Sequence, residues 1–182
     1  MQKALNVPNS LSLLRIAMIP ILFIMILNFS PKIYPLLIGL YFFTILLDFL
    51  DGFIARTFSL ETELGKILDP LADKLLILSL VIAFIITSGF PIWLAVSIFL
   101  RDFGIMLASY LLYKKYHLVK PSIIIGKITF GGISTLLLFF VIDLSPSLDF
   151  TIPKRFAIPL VFGFLLWSFG EYFNIYKEIK NG

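Results

Sequence analysis

Four aspartates pose the chemistry to be explained: Asp48 and Asp51 in one apolar segment, Asp69 and Asp73 in the next. At about 100° per helical residue, Asp48, Asp51, Gly52 and Ala55 share one helix face, and Gly65, Asp69, Ala72 and Asp73 share one face of the following helix. The connector is short, so the two helices are expected to be antiparallel neighbours with all four carboxylates converging near one end. Anions packed this closely repel strongly at low dielectric. Arg56 and Lys74 are too few to neutralise them. Divalent cations held by oxygen alone are the natural remedy: Mg²⁺, Mn²⁺ or Ca²⁺, with two ions balancing four carboxylates. Mg²⁺ keeps positions open for phosphate oxygens, which points to a phosphoanhydride substrate. The small residues beside the acids leave room for a ligand to approach the backbone. Taken singly, these features have plainer readings. Asp48 and Asp51 could form a structural ion pair with Arg56, and Gly52, Ala55 and Gly65 could simply pack helices. The joint spacing across two helices is what lifts the pattern above them.

The elements that position these acids read as membrane spans. Of 182 residues, 59% are hydrophobic and 14% charged, with a mean hydropathy of +1.01, whereas soluble domains average roughly 45–50% and about 25%. That argues against a water-soluble globule. The formal charge of +4 has no solvated basic stripe to support it, so no nucleic-acid partner is expected. The absence of cysteine excludes a disulfide scaffold, a cysteine nucleophile and thiolate metal sites, and the single His117, in a basic loop, excludes a histidine-rich one. Breaking the chain at Pro, Gly and charge clusters leaves six segments of about 20 residues, the length a span needs. They lie near 10–28, 34–56, 66–88, 91–113, 122–142 and 156–176. The first, from Leu11 to Leu27, is longer than a usual signal-peptide core and is followed by no clear small-x-small site, so it reads as a retained span. The stretch from Asp143 to Arg155 reads as a polar connector.

The expected fold is therefore all-α, a six-transmembrane-helix bundle forming a single membrane domain over residues 1–182. One arrangement puts Lys3, Arg15, Arg56, Lys66, Lys74, Lys114, Lys115, Lys120, Lys127, Lys177 and Lys180 on the inside, and only Lys32, Lys154 and Arg155 outside. By the positive-inside rule both termini are then cytoplasmic, and a multi-pass protein of the cell (inner or plasma) membrane presents its acids to the cytoplasm.

Arg101 and Lys127 also fall inside expected spans, where a charge costs about 2.5–3.5 kcal/mol and needs a partner. Arg101 could grip a phosphate bidentately while Lys127 supplies a point charge, a provision that fits glycerol 3-phosphate as an anionic acceptor. Alternatively Arg101 pairs with Asp102, and Lys127 snorkels to the inner interface. A reading of a different class makes the acidic cavity a path for divalent cations. It leaves the small residues, Arg56 and the second cationic group unexplained.

The pattern Asp48-x-x-Asp51-Gly52-x-x-Ala55-Arg56, followed after eight residues by Gly65-x-x-x-Asp69-x-x-x-Asp73, resembles the signature of the CDP-alcohol phosphatidyltransferase family and fills each of its fixed positions. The opening Val7-Pro8-Asn9-Ser10-Leu11-Ser12-Leu13-Leu14-Arg15 and the run from Leu68 to Lys74 are similar to a bacterial subgroup, the phosphatidylglycerophosphate synthases. The resemblance covers nearly the whole chain. It implies a six-helix membrane enzyme, usually a homodimer, that moves a phosphatidyl group from CDP-diacylglycerol to an alcohol and releases CMP. Carried over by position, it makes Asp48, Asp51, Asp69 and Asp73 ligands of a dinuclear Mg²⁺ or Mn²⁺ site, with Asp73 also the general base. Gly52, Ala55 and Gly65 match the cytidine pocket, and Arg56 the neighbourhood of the nucleotide phosphate. Glycerol 3-phosphate is the acceptor that the subgroup implies. Arg101-Asp102 departs from the Arg-Glu common in that subgroup and, with Pro121-Ser122 and Gly126-Lys127, is similar to the family's cardiolipin synthases, which use phosphatidylglycerol.

Overall fold

The computed structural model describes residues 6–58, 62, 64–116 and 124–181, and among these all regular structure is helical. Six α-helices follow in order: α1 Val7–Leu27, α2 Tyr34–Thr57, α3 Gly65–Ser88, α4 Ile92–Tyr116, α5 Ile124–Ile142 and α6 Thr151–Asn181, with a short 3-10 turn at Pro31–Ile33 before α2. All but α4 are, among the described residues, long and apolar enough to cross a membrane. Their outward faces carry Ile24, Leu36, Phe49, Phe156 and Trp167, each more than half exposed. Water would penalise such a surface, whereas lipid tails solvate it. The chain is a multi-pass, all-helical membrane protein.

Local signals explain the ends. The Asn6 side chain accepts the Asn9 N–H at 3.0 Å, and Pro8 occupies an early position where its missing N–H costs nothing, so α1 starts at Val7. Gly89, at φ +67°, closes α3 in the left-handed conformation that an L side chain resists. At α6 the structure departs from the expected polar connector. The helix begins at Thr151, because Asp149 accepts the Thr151 N–H at 2.8 Å, while Asp143 accepts the Phe150 N–H at 2.7 Å and pairs with Lys154. The bonds from Thr151 also hold the exposed Asp149 carboxyl below the usual carboxylate range. Hydropathy alone does not register such capping.

The chain divides into two units, Met1–Gly89 with Leu144–Leu148, and Phe90–Asp143 with Asp149–Gly182. In the first, α1 packs against both α2 and α3, with Leu22, Ile26, Leu37, Leu80, Ala83 and Phe84 in its interior. In the second, α6 packs against α4 and α5 around Leu94, Leu136, Leu137, Val141, Val161 and Leu165. Helices in lipid gain little from hydrophobic burial and depend on close packing and on hydrogen bonds between helices worth about 0.6–2 kcal/mol each. The second unit shows both. A Cβ on Gly132 would stand 3.3 Å from the Phe164 ring, and the Thr129 hydroxyl donates to the Phe164 carbonyl at 3.2 Å.

Candidate active site

The first unit brings the four aspartates together, and it does so around α1. Arg15, 1% exposed, forms an ion pair with Asp48, reaches Asp73 at 3.1 Å and lies 3.7 Å from Asp51. One turn earlier, the Ser12 hydroxyl stands 2.6 Å from an oxygen of Asp69 and 3.1 Å from one of Asp51. The acids of α2 and α3 are therefore tied to each other through two side chains of a third helix. Asp51 is 3% exposed, Asp73 29% and Asp48 50%, so the cluster is closed at Asp51 and open at Asp48.

Sequence reasoning placed the acids on shared faces but missed what they surround. Arg15 was counted among the cations at the inner end of the chain, yet it is buried in the cluster and contributes no loop charge. A usable signal was present: Asn9, Ser12 and Arg15 recur every three residues along a helix whose other residues, Ser10 apart, are apolar, which gives α1 a polar stripe. Asn9, also buried, donates to the Thr62 hydroxyl at 2.9 Å, and that hydroxyl accepts the Gly65 N–H at 3.0 Å. A Cβ on Gly65 would come within 2.7 Å of the Asn9 amide oxygen. The glycine is thus required by the approach of α1 to the start of α3.

The donor set consists of carboxylate oxygens alone, which suits a hard divalent cation. The charge of Arg15 is shared among Asp48, Asp51 and Asp73, and its buried Nε and Nη2 have no hydrogen-bond partner among the described residues. Among the described residues no three acidic, histidine or cysteine side chains are grouped as a metal ion would need. Arg15 stands between the carboxylates instead. Of the residues matched to the nucleotide pocket, Gly52 and Ala55 are partly exposed on α2. The Arg56 side chain and His117 lie outside the described set.

In the second unit Arg101 is held from several sides. Its Nη1 donates to Asp102 at 2.6 Å, its Nε and Nη2 to the buried Ser168 hydroxyl at 3.2 and 2.7 Å, and its guanidinium carbon lies 5.8 Å from the centre of the Tyr172 ring. These bonds use three of its five N–H groups. The pairing with Asp102 that the sequence allowed is present, and Ser168 is a partner the sequence did not indicate. Gly126 of α5 lies beside this group: a Cβ there would meet Arg101 Nη2 at 3.4 Å and the Tyr172 hydroxyl at 3.0 Å. The next residue, Lys127, is exposed.

Comparison with known proteins adds a family. The sequence model described as CDP-alcohol phosphatidyltransferase matches residues 5–168, which include all four aspartates and Arg101. A Rickettsia bellii protein named CDP-diacylglycerol-glycerol-3-phosphate 3-phosphatidyltransferase is 44% identical over 72 residues, 40% of each chain. One of the same name from Aquifex aeolicus is 35% identical over 127 residues, 69% of each chain. Human cardiolipin synthase (CMP-forming) is 36% identical over 112 residues, 61% of this chain and 36% of its own length. The matched part thus spans two fifths of the Rickettsia protein and about a third of the human one.

Proposed function

Because this chain belongs to the CDP-alcohol phosphatidyltransferase family, whose members generally depend on divalent cations, we propose that it transfers a phosphatidyl group from CDP-diacylglycerol to glycerol 3-phosphate. The products are phosphatidylglycerophosphate and CMP. The observation that carries this reading is that Asp48, Asp51, Asp69 and Asp73, from two helices, are all tied to Arg15 and Ser12 of α1 in the first unit. The names of the Rickettsia and Aquifex relatives support the acceptor.

In this reading the four aspartates hold Mg²⁺ or Mn²⁺, two ions per site. When bound, such ions supply charge neutralisation for the diphosphate and for the departing CMP. Asp73, partly open to solvent, takes the proton of the acceptor hydroxyl. The acceptor oxygen bonds to the lipid-side phosphorus as the bond from that phosphorus to the CMP oxygen breaks. Gly52, Ala55 and Gly65 border the cytidine, and Arg56 faces the nucleotide phosphate. Arg101, steadied by Ser168 and Asp102, uses its remaining N–H groups to bind the acceptor phosphate together with Lys127. The active site faces the cytoplasm, with both termini on that side of the cell membrane.

A second acceptor has its own support. Arg101-Asp102 is similar to the cardiolipin synthases, and the human protein of that name is among the relatives. The discriminating experiment follows CMP release by purified protein from CDP-diacylglycerol with glycerol 3-phosphate, phosphatidylglycerol, inositol phosphate and serine in parallel. Release with glycerol 3-phosphate is the expected outcome. Release with phosphatidylglycerol alone would transfer the chain to the cardiolipin branch.

The base assignment makes a separate prediction. Asp73→Asn should lower turnover by about 100-fold or more, the scale of general-base catalysis, while CDP-diacylglycerol binding falls far less, since three carboxylates remain. If binding is lost in parallel with turnover, Asp73 is a metal ligand and the base lies elsewhere. Topology is tested by single cysteines in this cysteine-free chain. One placed between residues 114 and 120 should react only with reagent on the cytoplasmic side, and one near Ser147 only from outside. The opposite pattern would invert the proposed orientation.

A further inference from the structure

We propose that Arg15 is a resident counter-cation that competes with divalent ions for the four aspartates, and so sets the metal affinity of the site. The inference rests on the metal-dependent reading above and concerns a residue outside its ligand set.

The geometry argues for competition. Among the described residues Arg15 is the largest fully buried side chain, and its guanidinium touches acids from both α2 and α3: Asp48 in direct contact, Asp73 at 3.1 Å and Asp51 at 3.7 Å. A buried guanidinium serving only as a structural partner would be expected to have its five donors satisfied, because each unbonded buried donor is costly. Here Nε and Nη2 have no hydrogen-bond partner. Arg15 spreads a single positive charge over three of the four carboxylates. The arrangement holds the acids together without satisfying either side, as a placeholder does. The Nη1 of Arg15 bridges Asp48 of α2 and Asp73 of α3, two of the acids that an ion shared between these helices would draw on. Ion and guanidinium are like charges within a few ångströms, where repulsion is strong even at an effective dielectric well above that of a dry interior. Binding of the ions must therefore displace or strain the Arg15 contacts to Asp48 and Asp73. The same contacts keep the acids from repelling one another before the ions arrive.

The test measures metal binding directly, independent of turnover. Mn²⁺ is titrated into metal-stripped, detergent-solubilised protein and followed by electron paramagnetic resonance, with a thermal melt recorded at each concentration. Arg15→Met removes the charge and keeps the length, Arg15→Gln removes the charge and keeps a donor, and Arg15→Lys keeps the charge. Both neutral variants should bind Mn²⁺ at least about tenfold more tightly than wild type, a difference that one charge at this range readily supplies. Both should also melt lower without metal and gain more on saturation, because tighter binding to the folded state alone adds more stability. Arg15→Lys should stay near wild type. If Arg15→Met cannot be isolated metal-free, Arg15→Gln decides. Should neither neutral variant survive stripping, Mn²⁺ dissociation from protein purified in the ion gives the same comparison, with slower release expected in the neutral variants. Mn²⁺ affinity in folded neutral variants that equals or falls below wild type would overturn the proposal and leave Arg15 as an orienting contact for the acids. Wild-type protein that binds no Mn²⁺ would instead overturn the metal-dependent reading, and this proposal with it.

Discussion

Asp69→Asn is expected to reduce turnover by more than about 100-fold, the scale on which removal of a preorganised electrostatic contact slows a reaction. Asp69 is tied to α1 through the Ser12 hydroxyl at 2.6 Å, whereas Arg15 forms its ion pairs with Asp48, Asp51 and Asp73. In the proposed reading the charge of Asp69 is therefore open to an ion. The amide keeps the size and one acceptor oxygen, so Ser12 retains a partner while one anionic ligand is lost. Removal of divalent ions from wild type should have the same effect, reversed by adding back Mg²⁺ or Mn²⁺. Full turnover after exhaustive chelation would contradict the role given to all four carboxylates.

The proposed acceptor site carries the second large effect. Arg101→Ala and Lys127→Ala should each raise the KM for glycerol 3-phosphate far more than that for CDP-diacylglycerol. A charge-assisted contact to phosphate is worth about 1.5–3 kcal/mol, roughly ten- to a hundredfold in apparent affinity where KM tracks binding. For Arg101 the side chain is already oriented: Ser168 takes Nε and Nη2, Asp102 takes Nη1, and Tyr172 lies against the guanidinium. Little ordering is then needed when phosphate arrives. Lys127 is exposed and has no such support, so Lys127→Arg should be the milder change. Loss of Arg101 also leaves the buried Ser168 hydroxyl and Asp102 without that cation, so the yield of folded, detergent-solubilised protein is measured beside the kinetics. Unchanged glycerol 3-phosphate dependence in both folded alanine variants would remove these residues from the acceptor site and favour phosphatidylglycerol.

Helix positions could be read from the sequence because a span must be apolar over its whole length, and the interruptions at Pro31, Gly89 and Pro91 are sharp. The start of α6 could not, because Thr151, Lys154 and Arg155 look like loop until Asp143 and Asp149 are seen to accept the N–H groups at its beginning. The four aspartates were readable for a different reason. Their spacing matches helical periodicity on two consecutive segments, so each pair shares a face whatever the surroundings. Arg15 was read as an inside charge because a single cation near the end of a span has two local readings, anchor or partner, and only tertiary packing of α1 against α2 and α3 separates them. Gly65 shows the same limit. Its spacing suggested room for a ligand, and only the packing of α1 shows that the Asn9 side chain also comes close to it. Ser168 lies far along the chain from Arg101, and nothing in the local sequence joins them.

The central claim is that the aspartate cluster serves group transfer and not ion passage, and one measurement in sealed proteoliposomes addresses it directly. Protein reconstituted with CDP-diacylglycerol is supplied with glycerol 3-phosphate and Mg²⁺, and CMP, lipid product and metal flux are followed in the same sample. The predicted result is CMP released one-for-one with a new phosphatidylglycerophosphate, dependent on Mg²⁺, with no net movement of the ion. Metal flux that proceeds without nucleotide, with no CMP released for any acceptor, would contradict the account.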